Sequence, residues 1–194
     1  MNIAIPEGQQ KLVSELAKTG KPVIALVMCG RPVIFNEIRE HADAVLCTWW
    51  LGSEAGNAIC NVLWGEYNPS AKLPMTFPAH VGQIPIYYQN KSTGRPTALK
   101  QTYKASYIDA STEPAYPFGY GLSYTDFGYS DLKLLPGKAA GVHTEVSVKV
   151  TNTGKCAGEE VVQLYVQDKV ASVTRPIKEL KGFRKIHLNV GESK

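Results

Sequence analysis

Four cysteines in 194 residues are too few and too scattered for a disulfide scaffold. Cys29, Cys47, Cys60 and Cys156 form no C-x-x-C pair and have no histidine at metal-ligand spacing, so no zinc or redox motif is legible. The first three lie in apolar runs, where free cysteine acts as a small hydrophobe. No apolar run approaches the ~20 residues of a membrane span. The first residues, MNIAIPEGQQ, lack the basic start and apolar middle of a secretory signal, so any export signal lies outside this chain. Clustered charge is scarce too. A net charge of +4 is spread thinly, and no lysine-arginine run is interleaved with aromatics, which excludes nucleic acid as a partner. What remains is a globular composition, 44% hydrophobic, sufficient for one large domain or two small ones.

The first third alternates helix and strand signals. PEGQQKLVSELAKTG opens on Pro6, closes on Gly20 and sets Leu12, Val13, Leu16 and Ala17 on one face, predicting an amphipathic helix. KPVIALVM is continuously apolar and β-branched, as a parallel strand covered on both faces would be. A short helix from Val33 to about His41, a second buried strand DAVLCTW, and a helix N-capped by Ser53 with Ala58, Ile59, Val62 and Leu63 inward complete an αβαβα order. That order implies parallel strands with right-handed crossovers, and two strands are too few for a finished open sheet. Between Asn68 and Tyr129, prolines interrupt any long helix and eight of ten tyrosines gather, predicting a long ordered connection. From Tyr129, four segments alternate with period two around turn signals such as Asn152-Thr153-Gly154 and read as antiparallel sandwich strands. Val146, Val148, Val150, Val162, Leu164 and Val166 are their expected inner face. An immunoglobulin-like sandwich wants about seven strands, so both ends of the chain are expected to cut through a domain.

In an open parallel sheet, ligands gather at the carboxyl ends of the strands. Two loops qualify, Met28–Pro32 and Thr48–Gly56, and both should face the same edge. Arg31 suits an anion or a hydroxyl-rich ligand, Glu54 falls in the first turn of its helix, and Trp49 and Trp50 offer stacking surfaces. Each has a structural alternative: the helix dipole alone favours Glu54, and the tryptophans can be packing where a strand leaves the core. Tyr87, Tyr88, Tyr103, Tyr107, Tyr116, Tyr120 and Tyr124 can stack on sugar rings or form half-polar packing. Glycoside hydrolysis needs two carboxyl groups, and only Glu54 lies on this edge, since Asp43 precedes its strand. His41, His80, His143 and His187 have no nucleophile elbow nearby. The residues thus provide half a binding edge and no complete catalytic set.

GKPVIALVMCGRP, TWWLGSEAGNAICNVLWGEYNPSAKLPMTFP, VGQIPIYYQNKSTGRP and YPFGYGLSYTDF together resemble the C-terminal half of a glycoside hydrolase family 3 enzyme, of the periplasmic bacterial β-glucosidase type. The resemblance implies α/β plus all-β structure: the C-terminal part of an (α/β)6 sandwich domain over 1–88, a Tyr/Pro-rich junction over 89–128, and a truncated fibronectin type III-like β-sandwich over 129–194. At that junction Tyr120 and Tyr124 would pack against neighbouring domains. The resemblance also implies an N-terminal (β/α)8 barrel, a β-glucoside or oligosaccharide substrate, retaining hydrolysis without metal or organic cofactor, a periplasmic or secreted location, and room for a homodimer. The family's nucleophile aspartate lies on that barrel, and its acid/base glutamate just upstream of the segment matching IAIPEGQQ. No catalytic residue is therefore expected in this chain, and Arg31, Trp49 and Glu54 are its substrate-binding candidates. Ala55 and Ala71 replace usual glycines, and Ser106 stands where the pattern has arginine. A non-catalytic carbohydrate-binding or interaction module is the alternative reading.

Overall fold

The computed structural model describes residues 2–92, 94, 106–135 and 144–194. Two compact units divide the chain: Met1–Ile59, Leu73–Tyr120 and Tyr165–Lys181 make the first, and Cys60–Lys72, Gly121–Leu164 and Gly182–Lys194 the second.

The first unit begins with α1 (Glu7–Ala17), β1 (Ile24–Val27), α2 (Asn36–His41) and β2 (Ala44–Cys47), followed by α3 (Ala55–Leu63), whose last turn belongs to the second unit. Pro6 caps α1 with an extended backbone, and Gly20 ends its trailing turn at φ 69°, a conformation open to glycine at little cost. The strands pair in parallel, Ile24 with Ala44 through Val27 with Cys47. Asp43 braces their amino ends, its carboxylate accepting the Val23 N–H at 2.8 Å. The core is Ala25, Val27, Phe35, Ile38 and Phe77, with Val13, Val45, Cys29, Cys47 and Trp49 packed on it.

Burial corrects three sequence expectations. β1 is covered on one face only: Ala25 and Val27 are buried while Ile24 and Leu26 are exposed, so its unbroken apolar run does not mean two covered faces among the described residues. On α1, Val13 and Ala17 turn partly inward, but Leu12 and Leu16 are exposed. On α3 no residue is fully buried; Ile59, Val62 and Leu63 are half-buried, Ala58 is exposed, and Ser53 lies in the preceding turn.

The tyrosine-rich connection is ordered where it is described. Leu73 to Phe77 and Tyr116 to Tyr120 run against each other as an irregular ribbon, with Leu73 N–H donating to Tyr120 O at 2.7 Å, Gly119 N–H to Leu73 O at 2.8 Å and Phe77 N–H to Tyr116 O at 2.8 Å. Phe77 meets Phe35 edge-on, and Tyr116 stacks on Phe35 with 6.0 Å between ring centres. Tyr88 stacks on Phe118 at 4.2 Å. Tyr103 and His143 lie outside the described residues.

Four further strands follow: β3 (Phe127–Leu135), β4 (Glu145–Asn152), β5 (Gly158–Val166) and β6 (Glu179–Leu188). β3 and β4 are antiparallel with a register shift between Ser130 and Lys133, and β5 pairs with β6. Lys194 exchanges two backbone hydrogen bonds with Val150, at 2.8 and 2.9 Å, so the last residues begin a further pairing on β4. Val146, Val148 and Val150 point inward as expected, with Val150 fully buried. On β5 the expected inner face is corrected: Val166 is exposed, and the most enclosed side chain is the carboxylate of Glu160.

Candidate functional site

The two loops that leave the carboxyl ends of β1 and β2 lie side by side. Thr48 N–H donates to Val27 O at 3.1 Å, and the Trp50 indole covers Gly30, reaching within 3.4 Å of where a β-carbon would stand. Trp49 takes φ 55°, left-handed and unusual for a bulky residue, which sends consecutive tryptophans in different directions. Trp49 packs inward, 5.7 Å from the Phe77 ring, whereas Trp50 is 80% exposed. Of the two, Trp50 therefore has the more open face for stacking, and Trp49 is half-buried against the core. Arg31 is exposed near the end of its loop, as is Glu54 in the turn before α3. The Glu54 carboxylate accepts from Asn57 Nδ2 at 2.5 Å, one helical turn ahead. The loops carry one carboxylate between them. The edge can stack a ring and hydrogen-bond hydroxyls, but it lacks the second carboxyl that glycoside hydrolysis requires.

Cys29 and Cys47 both pack, half-buried, on the core cluster under the first sheet. Burial, more than any other influence, pushes the Cys47 thiol up to about 11; the Trp49 N–H opposes this, and the neighbouring Cys29 thiol adds to the rise. Cys60, expected in an apolar setting, is exposed. All four thiols are free, and no group of three metal-binding side chains occurs among the described residues.

Sequence reasoning missed the buried polar residues that hold the remaining loops. Gln83, 4% exposed, accepts the Ala79 N–H at 2.6 Å and donates to the carbonyls of Ser111 and Glu113 at 3.1 and 3.0 Å. In the second unit, Asn152 accepts from Thr125 Oγ1 at 2.8 Å and donates to the carbonyls of Cys156 and Leu188. Asn68 takes the Ser123 hydroxyl and the Tyr124 N–H on one oxygen, at 2.8 and 2.9 Å. The Tyr124 hydroxyl donates to Val62 O at 2.8 Å. Glu159 and Glu160 leave opposite faces of β5, each matched to a lysine: Lys185 at 2.6 Å and Lys72 at 3.1 Å. The hydrogen bond from Lys185, followed by that from Tyr67, holds the Glu159 carboxyl below its ordinary range. The only sequence signal was a polar residue where the period-two pattern called for an apolar one, as at Glu160.

A parallel α/β layer followed by a small antiparallel β module, with its exposed polar and aromatic edge at the strand ends, defines a modular α/β-plus-β protein. The Glycosyl hydrolase family 3 C-terminal domain matches residues 1–124 and the Fibronectin type III-like domain matches residues 160–194, and the chain belongs to glycosyl hydrolase family 3. It is 50% identical, over its whole length, to 26% of a protein named periplasmic beta-glucosidase from Salmonella typhimurium. It is 48% identical, over 96% of its length, to 25% of a beta-xylosidase from Formosa agariphila. Among solved structures, the beta-glucosidase from Listeria innocua in complex with isofagomine superposes with a TM-score of 0.94 at 42% identity, covering 99% of this chain and 27% of that one. The chain thus spans about a quarter of the length of these relatives.

Proposed function

We propose that this chain is the C-terminal part of a retaining β-glucosidase that releases terminal β-D-glucosyl residues through a glycosyl-enzyme intermediate. The observation that carries the reading is the 50% identity, across the whole chain, to a protein named periplasmic beta-glucosidase. The likeness to the Listeria innocua beta-glucosidase in complex with glucose supports it. In this reading residues 1–88 belong to the α/β sandwich domain, 89–128 to the connecting stretch and 129–194 to the fibronectin-like domain. The nucleophile and the acid/base both come from outside the chain, consistent with an edge that carries one carboxylate. Arg31, Trp50 and Glu54 contact sugar hydroxyls and ring faces, with Trp49 as support. The enzyme works in the periplasm, as the name of the Salmonella relative suggests.

The 48% identity to a beta-xylosidase favours a second reading, in which the same edge accepts a pentoside. Assaying the longer protein on matched aryl β-glucosides and β-xylosides separates the two. A higher kcat/KM on the glucoside is expected. Preference for the xyloside selects the second reading, and sugar binding without turnover of either selects a non-catalytic carbohydrate module.

A further inference from the structure

The structure assigns to Gly30 the role of positioning residue for sugar stacking by Trp50, an inference that rests on the proposed reading of this edge as carbohydrate-binding. Val27 and Cys47 are register partners in the parallel pair, and Gly30 and Trp50 each stand three residues further along their own chain segments. The pairing of β1 with β2 thus delivers both residues to one place. A β-carbon on Gly30 would lie 3.4 Å from Trp50 Cε2 and 3.6 Å from both Cζ2 and Nε1, so the indole rests on the glycine along its Nε1 edge. The rest of the ring is open, Trp50 being 80% exposed. Trp49 fixes the start of this arrangement: its φ of 55° and its packing on Phe77 at 5.7 Å anchor the backbone from which Trp50 departs.

Backbone conformation does not call for glycine here, since Gly30 lacks the left-handed backbone that Gly20, Gly65 and Gly119 adopt. What its missing side chain provides is room. An alanine methyl would sit in van der Waals contact with the indole edge, whereas a β-branched residue would put further carbons where the ring lies, with little χ1 freedom to avoid it. The indole would then leave its seat and turn the face that stacks on a pyranose ring. An aromatic ring free to rotate must be ordered when the sugar binds, at a cost in affinity; seating it beforehand removes that cost. The stacked contact is made with the bound sugar, not with the reacting bond, so its loss falls on KM more than on kcat.

Two measurements test this inference. In the full chain labelled with 5-fluorotryptophan, the Trp50 fluorine resonance is the one lost in Trp50→Phe; Gly30→Val should shift it by more than those of Trp49 and Trp64. In the longer protein, assayed on an aryl β-glucoside, KM should rise several-fold in Gly30→Val and by less in Gly30→Ala, with kcat nearly unchanged. Gly30→Val should add nothing further in a Trp50→Ala background, because the two substitutions remove one and the same contact. An unmoved Trp50 resonance, an unchanged KM in Gly30→Val beside a raised one in Trp50→Ala, or full additivity of the two would overturn the positioning role. Should Gly30→Val fail to fold, Gly30→Ala carries both measurements. Failure of the sugar reading itself looks different: Trp50→Ala would then keep the unsubstituted KM, and the positioning role would fall with it although the resonance still moves.

Discussion

Glu160 carries one of the most heavily used side chains in the second unit. One carboxylate oxygen accepts the Tyr129 hydroxyl at 2.9 Å and the other meets Lys72 at 3.1 Å, while Lys72 also donates to Gly121 O at 2.7 Å. A charge pair this enclosed adds little over a well-packed apolar pair, but removing one partner strands the other. Glu160→Leu should therefore lower stability by about 3–5 kcal/mol in urea unfolding, with much of that loss recovered by adding Lys72→Met. No recovery would mean that the ion pair is not what the substitution disturbs.

The same carboxylate sets an alkaline limit. Desolvation of the hydroxyl, followed by its hydrogen bond and proximity to Glu160, raises the Tyr129 ionisation above its ordinary value of 10.0, although half of the ring is exposed. A group whose folded-state value is raised contributes stability that is fully present below its unfolded value and lost as pH climbs through the folded one. Stability should hold up to about pH 10 and fall beyond it, and Tyr129→Phe should flatten that fall. Phenolate absorbance together with denaturant midpoints from pH 9 to 12 provides the measurement. An identical alkaline decline in Tyr129→Phe would assign the effect to other groups.

At the scale of elements, close approaches of backbone decide where glycine is required. A β-carbon on Gly121 would collide with the Ala71 carbonyl oxygen and press within 3.1 Å of Lys72 Cδ, whereas one on Gly52 would meet nothing within 4 Å. Gly121→Ala should thus cost about 1–3 kcal/mol by overpacking, and Gly52→Ala should be close to neutral, as judged by thermal melting. Equal effects at the two positions would contradict the packing described here. The ribbon of Leu73–Phe77 against Tyr116–Tyr120 works by a different principle. Phe77 is 1% exposed and touches Phe35 and Trp49, so truncation to alanine should cost about 3–5 kcal/mol and loosen the support under the tryptophan loop.

At the scale of the whole molecule, the prediction concerns division of labour. The two loops supply a single carboxylate, so the isolated chain should show no turnover of an aryl β-glucoside. In the longer protein, Arg31→Ala should lower kcat/KM at least several-fold while leaving the melting temperature nearly unchanged, because Arg31 is exposed. Large destabilisation with normal kinetics per folded molecule would make Arg31 a structural residue.

Sequence alone determined the order of elements, the parallel pairing of the first two strands, the turn to period-two strands after Tyr129, and the two loops that share an edge. These follow from local periodicity, glycine and proline punctuation, and the rule that alternating helices and strands build parallel sheets. Tertiary structure alone decided which residues of those patterns meet. Periodicity names a face without saying what lies against it, so it could not tell that Leu12, Leu16, Ile24 and Leu26 are exposed. Nor could it divide Trp49 from Trp50, because both lie beyond the end of β2, in a turn with positive φ at Trp49 where strand alternation no longer assigns a face. The roles of Gln83, Asn152 and Glu160 were hidden for a related reason: each is held partly by partners 27 to 88 residues away, and such partners exist only once the chain has folded.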